Sequence, residues 1–333
     1  MKNNFSRGFE RDGARTSVFF KLQKIRTKEK FIFYHKLKII VILGQTATGK
    51  SNLAVKFAKK IDGEIISADS RQVYNGLDIG TGKITKKEMR GIPHHLLDVI
   101  NPKCKFTVTE YQKRAIYAIA EIIKKDKTPI ICGGTGLYID SITKGIIFPE
   151  VPPNIKLRKK LLRKDATALF YELQKLDQKR AKNIDRNNKV RLIRAIEIAK
   201  ALGKVPKITE KTPPYEFIKI GLYLPPDKLK KKVEQRVKKM FRSGLLNEIK
   251  KLKQVRVSDK RLKEFGFEYH NPTPEKVISE TLKYAKRQMT WFKRDKEIRW
   301  LDASKKINLK KSFIIFRCIT PYPISKNHAK IST

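Results

Sequence analysis

Residues 38–51 read KIIVILGQTATGKS, and this stretch decides the fold. The apolar run Lys38–Leu43 predicts a buried strand, and the residues from Asn52 to Lys60 predict a helix. The segment between them fits the pattern G-x-x-x-x-G-K-[ST] at every required position; its residues are Gly44, Gln45, Thr46, Ala47, Thr48, Gly49, Lys50 and Ser51. A strand, a glycine-rich loop and a helix in this order are the context that marks a phosphate-binding loop.

The residue types of this loop suit a phosphate ligand. Its backbone N–H groups can form an anion nest, and the following helix N-terminus adds a partial positive charge. Lys50 supplies a full positive charge to phosphate oxygens, and Ser51 can bind Mg²⁺, which we expect as the cofactor. The alternative is an ordinary glycine-containing turn in front of a helix.

Strand and helix patterns alternate along the next part of the chain. Gly63–Ala68 and Thr128–Cys132 predict strands, and Phe106–Lys125 predicts a helix between them. This alternation predicts an α/β fold with a P-loop-type parallel sheet flanked by helices. Ligands in such sheets bind at the carboxyl ends of strands. We therefore expect three strand ends to line one crevice: Gly44–Ser51, Asp69–Gln72 and Gly133–Gly136.

Proline and helical patterns divide the chain into five parts. The first is a basic N-terminal extension that we expect to be poorly ordered, and the second begins the α/β core. The third is a helical insertion, the fourth returns to the core, and the fifth is a tail without an assigned role. Their bounds are 1–36, 37–148, 149–205, 206–308 and 309–333. In the fourth part, Tyr215–Leu224 predicts a strand, and Leu229–Leu252 and Pro274–Arg294 predict long helices.

The composition indicates a polyanionic partner. The chain has 77 Lys and Arg against 32 Asp and Glu, a formal net charge of +45 over 333 residues. Such an excess suits the phosphate backbone of a nucleic acid, although enrichment in lysine across the source genome is an alternative. No apolar run approaches the roughly 18 residues that span a bilayer. Cys104, Cys132 and Cys318 form no C-x-x-C pair, so we expect a reduced, cytoplasmic protein without a membrane segment.

Asp69 directly follows the second predicted strand. A conventional P-loop NTPase has an aspartate at the end of a strand that helps to hold Mg²⁺, but Thr128–Cys132 is followed by Gly-Gly-Thr instead. Asp69 is therefore either a metal-holding residue or a general base.

Five motifs resemble those of the tRNA dimethylallyltransferases, in the order of that family. They are SADSRQVYNGLDIGTGK at 67–83, PHHLLD at 93–98, GGTGLY at 133–138, RLIRAIE at 191–197 and KRQMTWFKR at 286–294. The short C-terminus without a Cys/His pattern is similar to the bacterial form of the family.

The resemblance implies a reaction. The family transfers a dimethylallyl group from dimethylallyl diphosphate to N6 of the adenine 3′ of the anticodon. The phosphate loop would then bind a diphosphate, although its pattern alone indicates ATP. Asp69 matches the family's base, and Thr135 matches the residue that bonds the leaving oxygen. Lys50 and Arg236 match the residues that bind the diphosphate, with a solvated helix charge as the alternative for Arg236.

The resemblance also implies that the anticodon stem-loop of tRNA is the partner. We expect the protein to be a monomer. The tRNA would contact the helical insertion and the segment made of Asp69, Ser70, Arg71 and Gln72. Arg191 and Arg194 share one face of a predicted helix and can meet phosphates or bases; salt-bridged surface arginines are the alternative. A further contact is expected at Lys263, Gly266 and Phe267. There the family's G-Y-x-E is changed to Gly266-Phe267-Glu268, which removes a hydroxyl.

Two other classes of function compete with this interpretation. A small-molecule or nucleoside kinase would explain Gly44–Ser51, but it would not explain the other motifs together. A non-catalytic RNA-binding protein would explain the charge, but the intact Lys50, Ser51 and Asp69 argue against it.

Overall fold

The computed structural model describes residues 37–305. The predicted N-terminal extension 1–36 and the tail 309–333 lie outside the described residues. In the described part the chain forms eight strands: β1 Leu37–Gly44, β2 Gly63–Ala68, β3 His94–His95, β4 Thr128–Gly133, β5 Ile146–Ile147, β6 Thr209–Glu210, β7 Tyr215–Tyr223 and β8 Arg299–Asp302. The order β3-β2-β4-β1-β7-β8 builds a six-stranded sheet in which every pairing is parallel. This sheet confirms the predicted α/β fold.

Twelve helices accompany the strands in the same part of the chain. They are α1 Lys50–Lys60, α2 Lys86–Met89, α3 Val108–Lys124, α4 Gly136–Thr143, α5 Ile155–Leu162, α6 Ala166–Leu176, α7 Gln178–Lys182, α8 Lys189–Leu202, α9 Pro226–Arg242, α10 Leu245–Gln254, α11 Asp259–Phe265 and α12 Pro274–Phe292. The predicted helices of the core agree with α1 and α3, and the side chain of Thr107 caps α3 by accepting a hydrogen bond from the Glu110 amide.

Both faces of the sheet are buried, as expected for parallel strands covered by helices. Along β1, Ile39, Val41 and Leu43 join an apolar cluster with α3 and α4. Ile40 and Ile42 point to the opposite face and pack with α1. The period of two along the strand therefore places α1 on one face and α3 and α4 on the other.

The prediction of one long helix over Leu229–Leu252 is wrong in one respect. The structure divides it into α9 and α10 at Gly244, whose φ of 96° lies in the left-handed region. A residue in that conformation cannot continue a right-handed helix, so the chain turns and α10 starts a new direction. This turn places α10 beside the loop that follows β2.

Helices α5–α8 share an apolar cluster of their own. Its buried members are Leu161, Leu169, Phe170, Leu173, Ala181, Ile184, Leu192, Ile193, Ala195 and Ile196. Strands β5 and β6 precede and follow these helices and pair antiparallel, so the chain leaves the core and returns to it at one place.

Candidate active site

The phosphate loop is held in its shape by glycines and by strand β7. Gly44 has φ 128°, and a Cβ there would lie 2.1 Å from the carbonyl oxygen of Leu222. Gly49, with φ 85°, is the N-cap residue of α1. The buried Gln45 accepts a hydrogen bond from the Leu224 amide at 3.2 Å, and the Thr48 hydroxyl donates to the Gln45 carbonyl at 2.8 Å. The loop is thus fixed before any ligand binds.

Two side chains of the loop face the place where an anion would bind. The Lys50 ammonium group donates to the carbonyl of Gln45, and burial lowers its pKa to about 8. Ser51 is exposed at the first turn of α1. Both residues lie where the loop and the helix N-terminus concentrate N–H groups, an arrangement that suits phosphate oxygens.

Gln288 of α12 joins the phosphate loop to the turn after β4. Its side-chain oxygen accepts from the Thr46 amide at 2.8 Å, and its side-chain nitrogen donates to the Gly134 carbonyl at 2.9 Å. A Cβ on Gly134 would lie 2.3 Å from that nitrogen, so only glycine allows this approach. The sequence interpretation assigned no role to Gln288, and its position inside the motif at 286–294 was the available signal.

Asp69 and Thr135 lie together at the carboxyl ends of β2 and β4. One carboxylate oxygen of Asp69 accepts from the amides of Arg71 at 2.8 Å and Gln72 at 3.3 Å. The other oxygen makes no hydrogen bond within residues 37–305. The Thr135 hydroxyl accepts from the Ser70 amide at 3.0 Å. The local turn therefore orients Asp69 and leaves one of its oxygens available to a ligand.

Arg236 reaches the same place from α9. Its guanidinium donates to the Thr46 hydroxyl at 3.1 Å and to the Thr81 carbonyl at 2.9 Å. Burial lowers its pKa, but a guanidinium keeps its charge in proteins. These contacts exclude the alternative of a solvated helix charge, because Arg236 bridges the phosphate loop and the loop after β2.

Glu268 and Tyr284 complete the surroundings of Asp69. Burial raises the pKa of Glu268 to about 7, against the opposing charges of Arg236 and Arg71. Burial also raises the pKa of the Tyr284 hydroxyl, which lies beside Thr135, and Asp69 adds to that rise. Tyr284 therefore remains a hydrogen-bond donor at neutral pH. Neither residue was assigned a role from the sequence.

The residues predicted to contact tRNA are not brought together in one place. Arg191 is exposed on α8, whereas Arg194 donates to Glu197 at 2.5 Å and to the Val151 carbonyl at 2.9 Å. Glu197 is buried and also bonds Arg158. The alternative of a salt-bridged arginine therefore describes Arg194.

The third predicted contact region lies at the end of α11. Lys263 is exposed, and Gly266 ends the helix with φ 126°. Phe267 packs against the apolar cluster of α9 and α12, which also touches Ala47 of the phosphate loop. The structure thus gives Phe267 a packing role at the back of the site.

No cluster of three or more His, Cys, Asp or Glu side chains within residues 37–305 could hold a metal ion. No helix in that range has the length and apolar character to cross a membrane.

Comparisons with known proteins identify the family. A family model described as IPP transferase matches residues 72–295. The chain is 39% identical over 297 residues to the tRNA dimethylallyltransferase of Halothermothrix orenii, covering 83% of this chain and 90% of that protein. The chain belongs to the IPP transferase family. Another member, the tRNA dimethylallyltransferase of Bacillus subtilis, is 36% identical and is covered over 93% of its length.

Solved structures of the family have the same fold. The tRNA isopentenylpyrophosphate transferase of Bacillus halodurans aligns with a TM-score of 0.62 at 34% identity, covering 86% of this chain and 96% of that one. A eukaryotic dimethylallyltransferase acting on tRNA aligns with a TM-score of 0.71 at 27% identity, covering 84% of this chain and 79% of that one. These family members share the arrangement of sheet and helices that builds the site described above.

Proposed function

We propose that this chain transfers the dimethylallyl group of dimethylallyl diphosphate to N6 of the adenine 3′ of the anticodon in tRNA, releasing diphosphate. Family membership supports this reaction. The observation that carries it is the position of Asp69, an oriented carboxylate with one unbonded oxygen, beside a phosphate loop. A kinase with the same loop could use such a carboxylate for a hydroxyl proton, so family membership is what favours the transferase over the kinase.

Asp69 serves as the proton acceptor in this proposal. The N6 amine is a weak nucleophile because its lone pair is delocalised into the adenine ring. As its bond to the dimethylallyl carbon forms, the carbon–oxygen bond to diphosphate breaks and one N6 proton must leave. A carboxylate within hydrogen-bond reach can take that proton. The amides of Arg71 and Gln72 hold one oxygen of Asp69, so the other is directed to the substrate.

Positive groups stabilise the departing diphosphate. In this proposal the loop amides and Lys50 bind the diphosphate together with Arg236, which reaches the loop from α9. The hydroxyl of Thr135 lies beside Asp69, where it can bond the leaving oxygen. Because Lys50 and Arg236 are already oriented by the carbonyls of Gln45 and Thr81, little reorganisation is needed as negative charge develops.

The residues of the loop fit a magnesium ion that the family implies. Mg²⁺ is held in many phosphate sites by one or two protein oxygens together with substrate phosphates and water. The exposed Ser51 hydroxyl, which bonds no other residue within 37–305, is such an oxygen. When bound, the ion would neutralise charge on the diphosphate.

The nucleic-acid partner in this proposal is the anticodon stem-loop. A stacked adenine cannot reach Asp69, so the base must be flipped out of its stack. The net charge of +45 and the exposed Arg191 on α8 support binding to the phosphate backbone. We propose that Arg71 and Gln72, which follow Asp69, contact the flipped nucleotide. We further propose that the enzyme acts as a monomer in the cytoplasm.

The test is label transfer. Purified protein is incubated with Mg²⁺, an anticodon stem-loop RNA and labelled dimethylallyl diphosphate, and the RNA is recovered and digested to nucleosides. We expect label on the adenosine 3′ of the anticodon and negligible hydrolysis of ATP. A matched RNA with guanosine at that position should stay unlabelled. Rapid ATP turnover without label in RNA would contradict the proposal and favour the kinase.

A further inference from the structure

A buried carboxylate lies outside the site, on helix α10. Glu248 is 8% exposed, and its carboxylate has no cationic partner among residues 37–305. It accepts instead from the amides of Asp78 at 3.1 Å, Ile79 at 2.7 Å and Gly80 at 3.1 Å. The hydroxyl of the buried Tyr269 donates to it at 2.8 Å. Four donors thus converge on one carboxylate, which satisfies a buried charge without an ion pair.

These bonds fix the segment 78–82, which we term the support loop. Glu248 binds its first three amides, and Gly80 packs so closely on Tyr269 that a Cβ would lie 2.5 Å from the tyrosine ring. On the other side, the Lys83 ammonium donates to Asp78 at 2.6 Å. The support loop is therefore held from both sides, with Glu248 supplying its hydrogen bonds from the protein interior.

The support loop in turn holds Arg236. The Thr81 carbonyl accepts from the Arg236 guanidinium at 2.9 Å, and the other nitrogen of that group donates to Thr46 in the phosphate loop. At Gly82, with φ 59°, a Cβ would lie 2.4 Å from the same guanidinium. A small shift of the support loop would therefore move the arginine relative to the phosphate loop.

We propose that Glu248 is a positioning residue for the diphosphate site, and that it acts through the support loop on Arg236. The proposal rests on the proposed function only in assigning a diphosphate to that site. Hydrogen bonds connect Glu248 to the support loop and the support loop to Arg236, and this is the route by which Glu248 acts. Glu248 has no contact with the reacting groups.

The substitution Glu248→Gln tests the proposal. The amide keeps the shape of the carboxylate but has one acceptor oxygen, so either the Asp78 and Ile79 amides or Gly80 and Tyr269 lose their acceptor. We expect the affinity for inorganic diphosphate, measured by calorimetry with Mg²⁺, to fall about tenfold, within the usual range for coupling between sites. Tyr269→Phe is the matched control, because it removes one donor and keeps the three amide bonds, and we expect a smaller loss.

A double-mutant cycle separates positioning from a general loss of structure. Arg236→Lys keeps one charge but cannot bridge Thr46 and Thr81. If Glu248 acts through Arg236, Glu248→Gln should cost less than about twofold in affinity when Arg236→Lys is already present. The same loss in both backgrounds, or no loss in either, would overturn the proposal.

Hydrogen exchange gives a readout that needs no ligand. In Glu248→Gln the amides of Ile79 and Gly80 should exchange faster, whereas those of β1 should keep their protection. Unchanged exchange in the support loop would also overturn the proposal. If Glu248→Gln fails to fold, Glu248→Asp, whose shorter side chain cannot reach all four donors, takes its place in the cycle.

These outcomes are distinct from a failure of the proposed function. If the wild-type protein binds diphosphate but transfers no label, the proposed function is contradicted, and the double-mutant cycle can still be measured. A wild type that binds no diphosphate contradicts both proposals.

Discussion

The lowered pKa of Lys50 predicts how diphosphate binding depends on pH. Burial brings this pKa from 10.5 to about 8, so about nine-tenths of the ammonium groups are charged near pH 7 and about one-tenth near pH 9. If diphosphate binds only to protein in which Lys50 is charged, the apparent affinity equals the intrinsic affinity multiplied by the charged fraction of Lys50. We therefore expect the affinity for inorganic diphosphate to fall about tenfold between these two pH values, beyond any change in the ligand itself.

The assay is calorimetry at constant Mg²⁺ and ionic strength, with Lys50→Arg as the control. The guanidinium stays charged over the whole range, so the ratio of wild-type to Lys50→Arg affinities cancels the titration of the ligand. Wild-type binding near pH 9 should also take up about one proton more than binding by Lys50→Arg does, seen as a heat that varies with the ionisation enthalpy of the buffer. A ratio of affinities that is constant across the range, together with equal proton uptake by the two proteins, would refute the reasoning.

Two further predictions concern Glu268 beside Asp69 and the two arginines of α8. Burial raises the pKa of the Glu268 carboxyl from 4.5 to about 7, so the folded protein binds a proton at Glu268 more tightly than the unfolded chain does. Protonated Glu268 therefore contributes to folding stability fully below about pH 4.5, and this contribution is lost as the pH rises through about 7. Denaturation at a series of pH values should therefore show Glu268→Gln gaining stability relative to wild type as the pH rises from about 4.5 to about 7. A stability difference between the two proteins that does not change with pH would contradict this. Arg191→Ala should weaken tRNA binding and reduce the salt dependence of that binding, while the free energy of unfolding changes by less than about 0.5 kcal/mol. Arg194→Ala should lower the free energy of unfolding by about 1–3 kcal/mol, measured by denaturation, because Glu197 loses a charged donor. Equal effects of the two variants on stability would refute the distinction.

The phosphate loop and its flanking elements could be predicted because their signals are local. Strand β1, the loop and α1 follow one another directly, and each has its own apolar or glycine pattern. The Gly63–Ala68 strand was predicted with its observed bounds. The alternation of strands and helices then fixed the sheet, since parallel strands need such crossovers.

Contacts between distant parts of the chain could not be predicted in this way. Gln288 bonds Thr46 across 242 residues, and Glu248 bonds Ile79 across 169. Glu248 does not differ in local pattern from a surface residue on a charged helix, and Gln288 is distinguished only by its place in the motif at 286–294. Their roles arise only when the sheet brings α10 and α12 to the carboxyl ends of the strands.

Some local features were also ambiguous in the sequence. Gly244 lies within a continuous pattern of Lys and Leu, where a glycine either is tolerated inside a helix or ends it. Strand β3 has two residues and β8 has four, too few for a periodic signal. For Arg194 the acidic partner is three residues away, and only the structure shows that Glu197 is buried and takes the arginine as a structural partner.

The role of Asp69 is the central claim, and a single-turnover measurement of Asp69→Asn tests it most directly. The asparagine keeps the size of the side chain and its capacity to accept from the amides of Arg71 and Gln72, but it cannot take a proton. With saturating RNA and dimethylallyl diphosphate, we expect the transfer rate to fall about 10²–10⁴-fold at every Mg²⁺ concentration, the range for one general base, while RNA affinity changes little. A rate near that of the wild type at saturating Mg²⁺ would show that Asp69 holds the metal ion and would contradict its assignment as the base.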